Sequence, residues 1–188
     1  MLKVTIVPRG RSLGAAWYLP EERQLTTTEQ ILDEMCATLG GRAAEQVVYN
    51  NISTGALSDL EKVTKRAQAM VTVYGLNDKI GNISYYDSSG QSEYNFGKPY
   101  SEHTAKTIDE EISKIVENQY QRAIRILTEN RDKLEALADK LIEKEVIFRE
   151  DLEEIFGKRA WEPEVAETSK KEEQNPAPAE NSAPVTDT

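Results

Sequence analysis

From residue 26 to residue 156, apolar side chains return every third or fourth position in successive stretches. That period belongs to a helix and not to a strand, so most of the chain is predicted to be helical. In the first stretch Ile31, Leu32, Met35, Leu39, Ala43 and Val47 share one face, behind a Thr26–Glu29 pair spaced as a capping box. Gly40-Gly41 falls inside this pattern at a cost of roughly 1 kcal/mol per glycine. Two tolerated glycines point either to another backbone packed very close or to a bend. Ser58 and Glu61 form a second capping pattern, with Asp59 at the first helical position. Leu60, Val63, Ala67, Met70, Val71 and Tyr74 then make an inward stripe, and Gly75 is placed as the stop.

A long helix is predicted from near Ser101, with Ile108, Ile112, Ile115, Tyr120, Ala123 and Leu127 inward. Leu134, Leu137, Ala138, Leu141 and Ile142 belong to another, and Asp151–Phe156 to a short last one closed by Gly157. The two-residue alternation of a strand occurs at the beginning of the chain and again between residues 80 and 97. Lys3–Val7 and Ala15–Leu19, separated by Pro8-Arg9-Gly10-Arg11-Ser12, read as a small hairpin. Ile80–Gly97, around Asp87-Ser88-Ser89-Gly90, is either a second hairpin or a long surface loop. The expected fold is mainly α with a small N-terminal β-hairpin.

The 188 residues suffice for one domain with a real core, although the hydrophobic fraction is only 38%. Residues 162–188 account for much of that deficit. They hold seven acidic residues, two lysines and four prolines, with no Leu, Ile or aromatic residue. Such a segment buries too little to offset its ordering entropy and is expected to be a disordered acidic tail. It carries −5 of the net −10, so residues 1–161 are mildly acidic and offer no basic footprint for nucleic acid. A single cysteine, Cys36, excludes an internal disulfide and a multi-cysteine zinc site. There is no signal peptide, no long apolar run and no Gly-x-x-x-x-Gly-Lys-Ser/Thr phosphate loop. A soluble, reducing compartment fits, with any ATP bound elsewhere.

Several short segments in combination closely resemble the peptidase domain of the FtsH-type, ATP-dependent zinc metalloproteases. They are Val4-Thr5-Ile6-Val7-Pro8-Arg9-Gly10, Leu39-Gly40-Gly41-Arg42-Ala43-Ala44-Glu45, Ser53-Thr54-Gly55-Ala56-Leu57-Ser58-Asp59, Met70-Val71 and Ile155-Phe156-Gly157-Lys158-Arg159. The resemblance spans Lys3 to Trp161 and implies a helical peptidase domain over residues 1–161. It departs from the family pattern at Ser58, where asparagine is usual, and at Ala160, where proline is common. In that family an upstream His-Glu-x-x-His helix supplies two zinc ligands and the catalytic glutamate. This sequence has one histidine, His103, and no His-Glu-x-x-His.

The resemblance makes Asp59 the third zinc ligand, since a catalytic zinc takes three protein ligands and leaves a fourth position for water. The metal acidifies that water, and the family's glutamate takes its proton. On spacing alone, Asp59 is instead an acid favoured at a helix N-terminus by the dipole. Glu45 matches a family helix packed near the zinc helix. It reads either as an acid that orients a ligand histidine from behind or as a solvent-facing glutamate; Arg42 pairs with it or with another helix. Ala15, Ala16, Trp17 and Tyr18 lie on the strand that the resemblance places beside the cleft, where an edge can bind substrate through its main chain. Trp17 and Tyr18 alternate faces, so either one ring lines the cleft while the other packs in the core, or each ring packs in the ordinary way. His103 has no partner histidine three or four residues away and reads as a surface residue, and Cys36 as a buried, inert thiol.

Two functional readings follow from the resemblance. In the first, the chain is the C-terminal part of an ATP-dependent zinc metalloendopeptidase for protein degradation and quality control. Alone it is inactive, because two ligands and the general base lie upstream. In the second it is a non-catalytic truncated helical module that assembles with full-length subunits. Complete family members are homo-hexamers that act on protein substrates. They carry an ATP-binding module and membrane anchors, with this domain on the cytoplasmic side.

Overall fold

The computed structural model describes residues 3–10, 13–18, 25–86 and 99–158. Three short strands and six α-helices follow one another: β1 (Lys3–Thr5), β2 (Ala15–Trp17), α1 (Thr28–Thr38), α2 (Gly40–Tyr49), α3 (Leu57–Thr72), α4 (Glu102–Glu129), α5 (Arg131–Lys144), β3 (Val146–Phe148) and α6 (Arg149–Phe156). A 3₁₀ turn, Thr54–Ala56, leads into α3. The mainly helical expectation holds. The expected ends of β2 at Leu19 and of the domain at 161, the tail 162–188, and residues 87–97 of the loop region lie outside the described residues.

The capping at the start of α1 is shifted by one residue from expectation. The Thr27 side chain accepts from the Gln30 N–H at 3.3 Å, and Gln30 Oε1 accepts from the Thr27 N–H at 2.9 Å. Thr26–Glu29 and Thr27–Gln30 have equal spacing, so the pattern alone did not choose between them. Of the two readings of Gly40-Gly41, the bend is the one observed. The chain turns at Leu39 (φ −78°, ψ −4°), which ends α1 and precedes α2. A Cβ on either glycine would meet nothing within 4 Å.

α4 is the central element, against which α1, α2 and α3 all pack. The core forms where Met35 and Leu39 meet Val63, Ala67 and Met70, with Ile112, Ile115 and Tyr120 of α4 against them. A smaller cluster joins Cys36, Ala43 and Ala123. Ion pairs fasten the rim, Glu34 to Arg66 and Asp33 to Arg122 (2.6 Å). α3 stops at Thr72, and Gly75 takes up the left-handed φ of +64° that lets Leu76 N–H bond back to Met70 C=O at 3.0 Å. Tyr74, expected inward, lies past the helix end and is 61% exposed. On α5, Leu134, Leu137 and Leu141 are half-buried, whereas Ala138 and Ile142 face solvent.

The hairpin is present, and a third strand that the pattern did not reveal completes it. β3 pairs antiparallel with β1 on the side opposite β2, in register Val4↔Ile147, giving the order β2-β1-β3. Ile147 is fully buried. β1 and β2 approach closely at Gly14, where a Cβ would stand 2.7 Å from the Thr5 carbonyl oxygen. The sheet packs through β3 on α5 and α6. Asp151 locks this corner, accepting from Phe148 N–H at 3.1 Å and from Lys144 Nζ at 2.6 Å.

Candidate functional site

The site is built by the passage from α2 to α3. α2 ends at Asn50, whose left-handed backbone (φ 50°, ψ 30°) turns the chain out of the helix. Asparagine adopts that region more readily than most residues. Three residues later Ser53 is held by both oxygens of one carboxylate. Its N–H donates to Glu45 Oε2 at 2.8 Å and its hydroxyl to Glu45 Oε1 at 2.6 Å. The same hydroxyl oxygen accepts from Gly55 N–H at 3.2 Å, so Ser53 caps the 3₁₀ turn. That turn runs without interruption into α3, and Ser58 consequently sits inside the helix and is not its cap.

Glu45 is half-buried, and both oxygens of its carboxylate accept from Ser53. Its bonds from the Ser53 hydroxyl, then from the Ser53 backbone, hold its carboxyl below the ordinary range, with Arg42 adding to the effect. Asp59 stands in the first turn of α3, its side chain 41% exposed. Its carboxylate is 3.4 Å from Lys62 Nζ, an exposed pair of little consequence for stability. It is thus accessible and in the first turn of α3, as the third residue of the helix where the first was expected, and Glu45 is tied to the same segment through Ser53.

β2 is the outer strand of its sheet, and Ala15, Ala16 and Trp17 are all exposed. Trp17 and Tyr18 do not divide between cleft and core, being 41% and 59% exposed. Lys3 Nζ sits 5.2 Å from the Trp17 ring centroid, an ordinary cation–π contact. His103 is exposed in the first turn of α4. Cys36 is buried, and burial pushes its thiol up despite the nearby Arg122.

One buried polar tie lies apart from this passage. Glu111 of α4 accepts from Asn77 Nδ2 at 2.8 Å and pairs with Lys79 Nζ at 2.6 Å. Those contacts, Lys79 first, hold its carboxyl below the usual range. Asn77 Oδ1 in turn accepts from the N–H groups of Lys79 and Ile80. The tie fastens the turn after α3 to α4. Its one sequence signal was position, since Glu111 falls three residues after Ile108 on the inward face.

Residues 1–155 match the model of Peptidase family M41. The chain belongs to this family. Among M41 relatives, it is 63% identical over 161 residues to an ATP-dependent zinc metalloprotease FtsH of Parabacteroides distasonis, covering 86% of this chain and 23% of that protein. It is 57% identical over 156 residues to the FtsH of Karelsulcia muelleri, covering 83% of this chain and 25% of that protein. A mitochondrial inner membrane m-AAA protease component of Mus musculus is 45% identical over 161 residues, covering 86% and 20%. The chain thus spans about a quarter of the length of the first two M41 relatives.

The zinc named for the two FtsH relatives does not fit the described residues by themselves. No group of three His, Cys, Asp or Glu side chains among them is placed to hold a metal ion. Asp59 offers one carboxylate beside a lysine, where a catalytic zinc takes three protein ligands. No step through a metal follows from this set. No described helix is long and apolar enough to cross a membrane.

Proposed function

We propose that this chain is the C-terminal part of the peptidase unit of an ATP-dependent zinc metalloendopeptidase, with Asp59 as the third zinc ligand. The observation that carries this reading is the M41 match over residues 1–155. The accessible Asp59 at the N-terminus of α3 supports it. Residues 1–161 act as the partial peptidase domain and 162–188 as an acidic tail. In the complete enzyme the other two ligands and the general base come from a His-Glu-x-x-His helix outside this sequence. The 188 residues alone are inactive. ATP is bound by a separate module, the working form is a homo-hexamer, and the domain lies on the cytoplasmic side of a membrane anchor. Protein substrate extends the outer edge of β2 at Ala15–Tyr18, where main-chain pairing suits varied sequences.

A second reading takes the chain as a non-catalytic helical module that assembles with longer subunits. Exposed large apolar side chains support it, Tyr49 at 76% and Leu57 at 75% flanking the α2–α3 passage. The native locus upstream of Met1 separates the two. An in-frame His-Glu-x-x-His supports the peptidase reading, and Asp59→Asn in the longer polypeptide then loses its bound zinc while remaining folded. Unrelated sequence or a stop codon there, or zinc retained by Asp59→Asn, overturns it.

A further inference from the structure

The Glu45–Ser53 contact carries more than local capping. One carboxylate accepts two hydrogen bonds from a single residue eight positions on, one from its backbone and one from its side chain. The hydroxyl proton is committed to Glu45, which leaves the oxygen's lone pairs for the Gly55 N–H. Both the position and the rotamer of Ser53 are thereby fixed from α2. Thr54–Ala56 continues directly into α3, with Ala56 buried, so no loose residue intervenes between Ser53 and Asp59. The α3 N-terminus has no side-chain cap of its own; its first residues are set by the turn before them. Arg42, one turn earlier on α2, favours the ionised form of Glu45 that accepts both bonds.

We propose that Glu45 is a positioning residue that fixes the entry into α3 and so aims the Asp59 carboxylate. The inference rests on the reading of Asp59 as a functional carboxylate. It assigns Glu45 a role through the backbone and hydroxyl of Ser53, in addition to any role toward a ligand histidine. Two oxygens are required at a set distance. Glu45→Gln replaces one acceptor by a donor, and Glu45→Asp falls short by a methylene.

The test uses the 188-residue chain labelled with ¹⁵N, in an Asp59→Asn background so that the carboxyl of residue 59 is silent. Lowering the pH should shift the amide signals of Ser53, Gly55, Leu57 and residue 59 together. They should share one midpoint below the ordinary glutamate range. Glu45→Gln should abolish that titration and speed exchange of the Ser53 amide by about tenfold or more, as a lost charge-assisted bond implies. Ser53→Thr, which keeps both donors, should retain the common titration, and Ser53→Ala should lose it at Gly55 and beyond. A titration confined to Ser53, or amide signals at 57 and 59 untouched by Glu45→Gln, overturns the proposal. Should Glu45→Gln fail to fold, the titration of the unsubstituted Glu45 decides alone. The upstream locus tests the peptidase reading independently, so either idea can fail without the other.

Discussion

Leu39 holds the bend between α1 and α2, and its replacement by alanine tests whether the core described above carries the fold. The side chain is 1% exposed and contacts the Met35–Val63–Ala67–Met70 cluster. Leu39→Ala removes three buried carbons at about 0.8 kcal/mol each, or about 2.4 kcal/mol of transfer free energy. The remaining cost depends on how far the site collapses, within the usual total of about 2–5 kcal/mol. Collapse is restricted here, because Ile112, Ile115 and Tyr120 of α4 already pack against the cluster that α1 and α3 form. The expected loss is therefore about 3–4 kcal/mol. Alanine is the better helix former, so backbone propensity does not account for a loss of that size. Urea denaturation followed by circular dichroism should show a lower midpoint with unchanged slope. The melting temperature should fall by about 6–15 °C for a domain of this size. Leu57→Ala, at a side chain 75% exposed, should stay within about 0.5 kcal/mol. A loss below about 1 kcal/mol for Leu39→Ala, or equal losses for both variants, refutes the assignment of this core.

Asp151 gives the fold a predictable weakness in acid. Lys144 and then the Phe148 N–H lower its carboxyl to about 2, against an ordinary value of 3.8. A carboxyl depressed in the folded state contributes fully above its unfolded value and loses that contribution as pH falls from about 4 to about 2. Melting temperature should drop across that window, and Asp151→Asn should start lower at pH 7 and lose less; parallel curves for the two proteins would refute this. Gly14→Ala should cost about 1–3 kcal/mol by driving a Cβ to 2.7 Å from the Thr5 oxygen and parting β1 from β2. Hydrogen exchange at 3–5 and 15–17 checks it, with unchanged protection there as the contrary result.

The helices were legible in the sequence because each buries a single face. Met35, Leu39 and Ala43, or Val63, Ala67 and Met70, lie inward on the period that predicted them. The failures occurred where chemistry is local and degenerate. Thr26 and Thr27 offered equivalent caps, and only the helix geometry selected Thr27. Ser58 matched a capping pattern, but Ser53 began the 3₁₀ turn five residues earlier and carried the capping instead. β3 escaped notice because three residues are too few for alternation to register, and its partner lies at the far end of the chain. At the candidate site, Asp59 and Glu45 were singled out through resemblance. The link between them was not, since a serine eight residues from a glutamate carries no periodic signal.

The pairing of β1 with β3 also sets a clock on biogenesis. Thr5 Oγ1 donates to the Glu145 carbonyl across 140 residues of sequence, and Val4 faces Ile147. The β1–β2 hairpin can form soon after it leaves the ribosome, whereas its inner edge must wait for residue 148. At about 5–20 residues per second, that interval is roughly 7–30 s. For that time the nascent chain presents an unpaired backbone edge beside apolar Val4, able to pair with another emerging chain. Crowded polysomes, slow codons between α3 and β3, or a ribosome stalled before Val146 should all raise aggregation of this protein. Termination and release beyond β3 bring the edge under its own final strand.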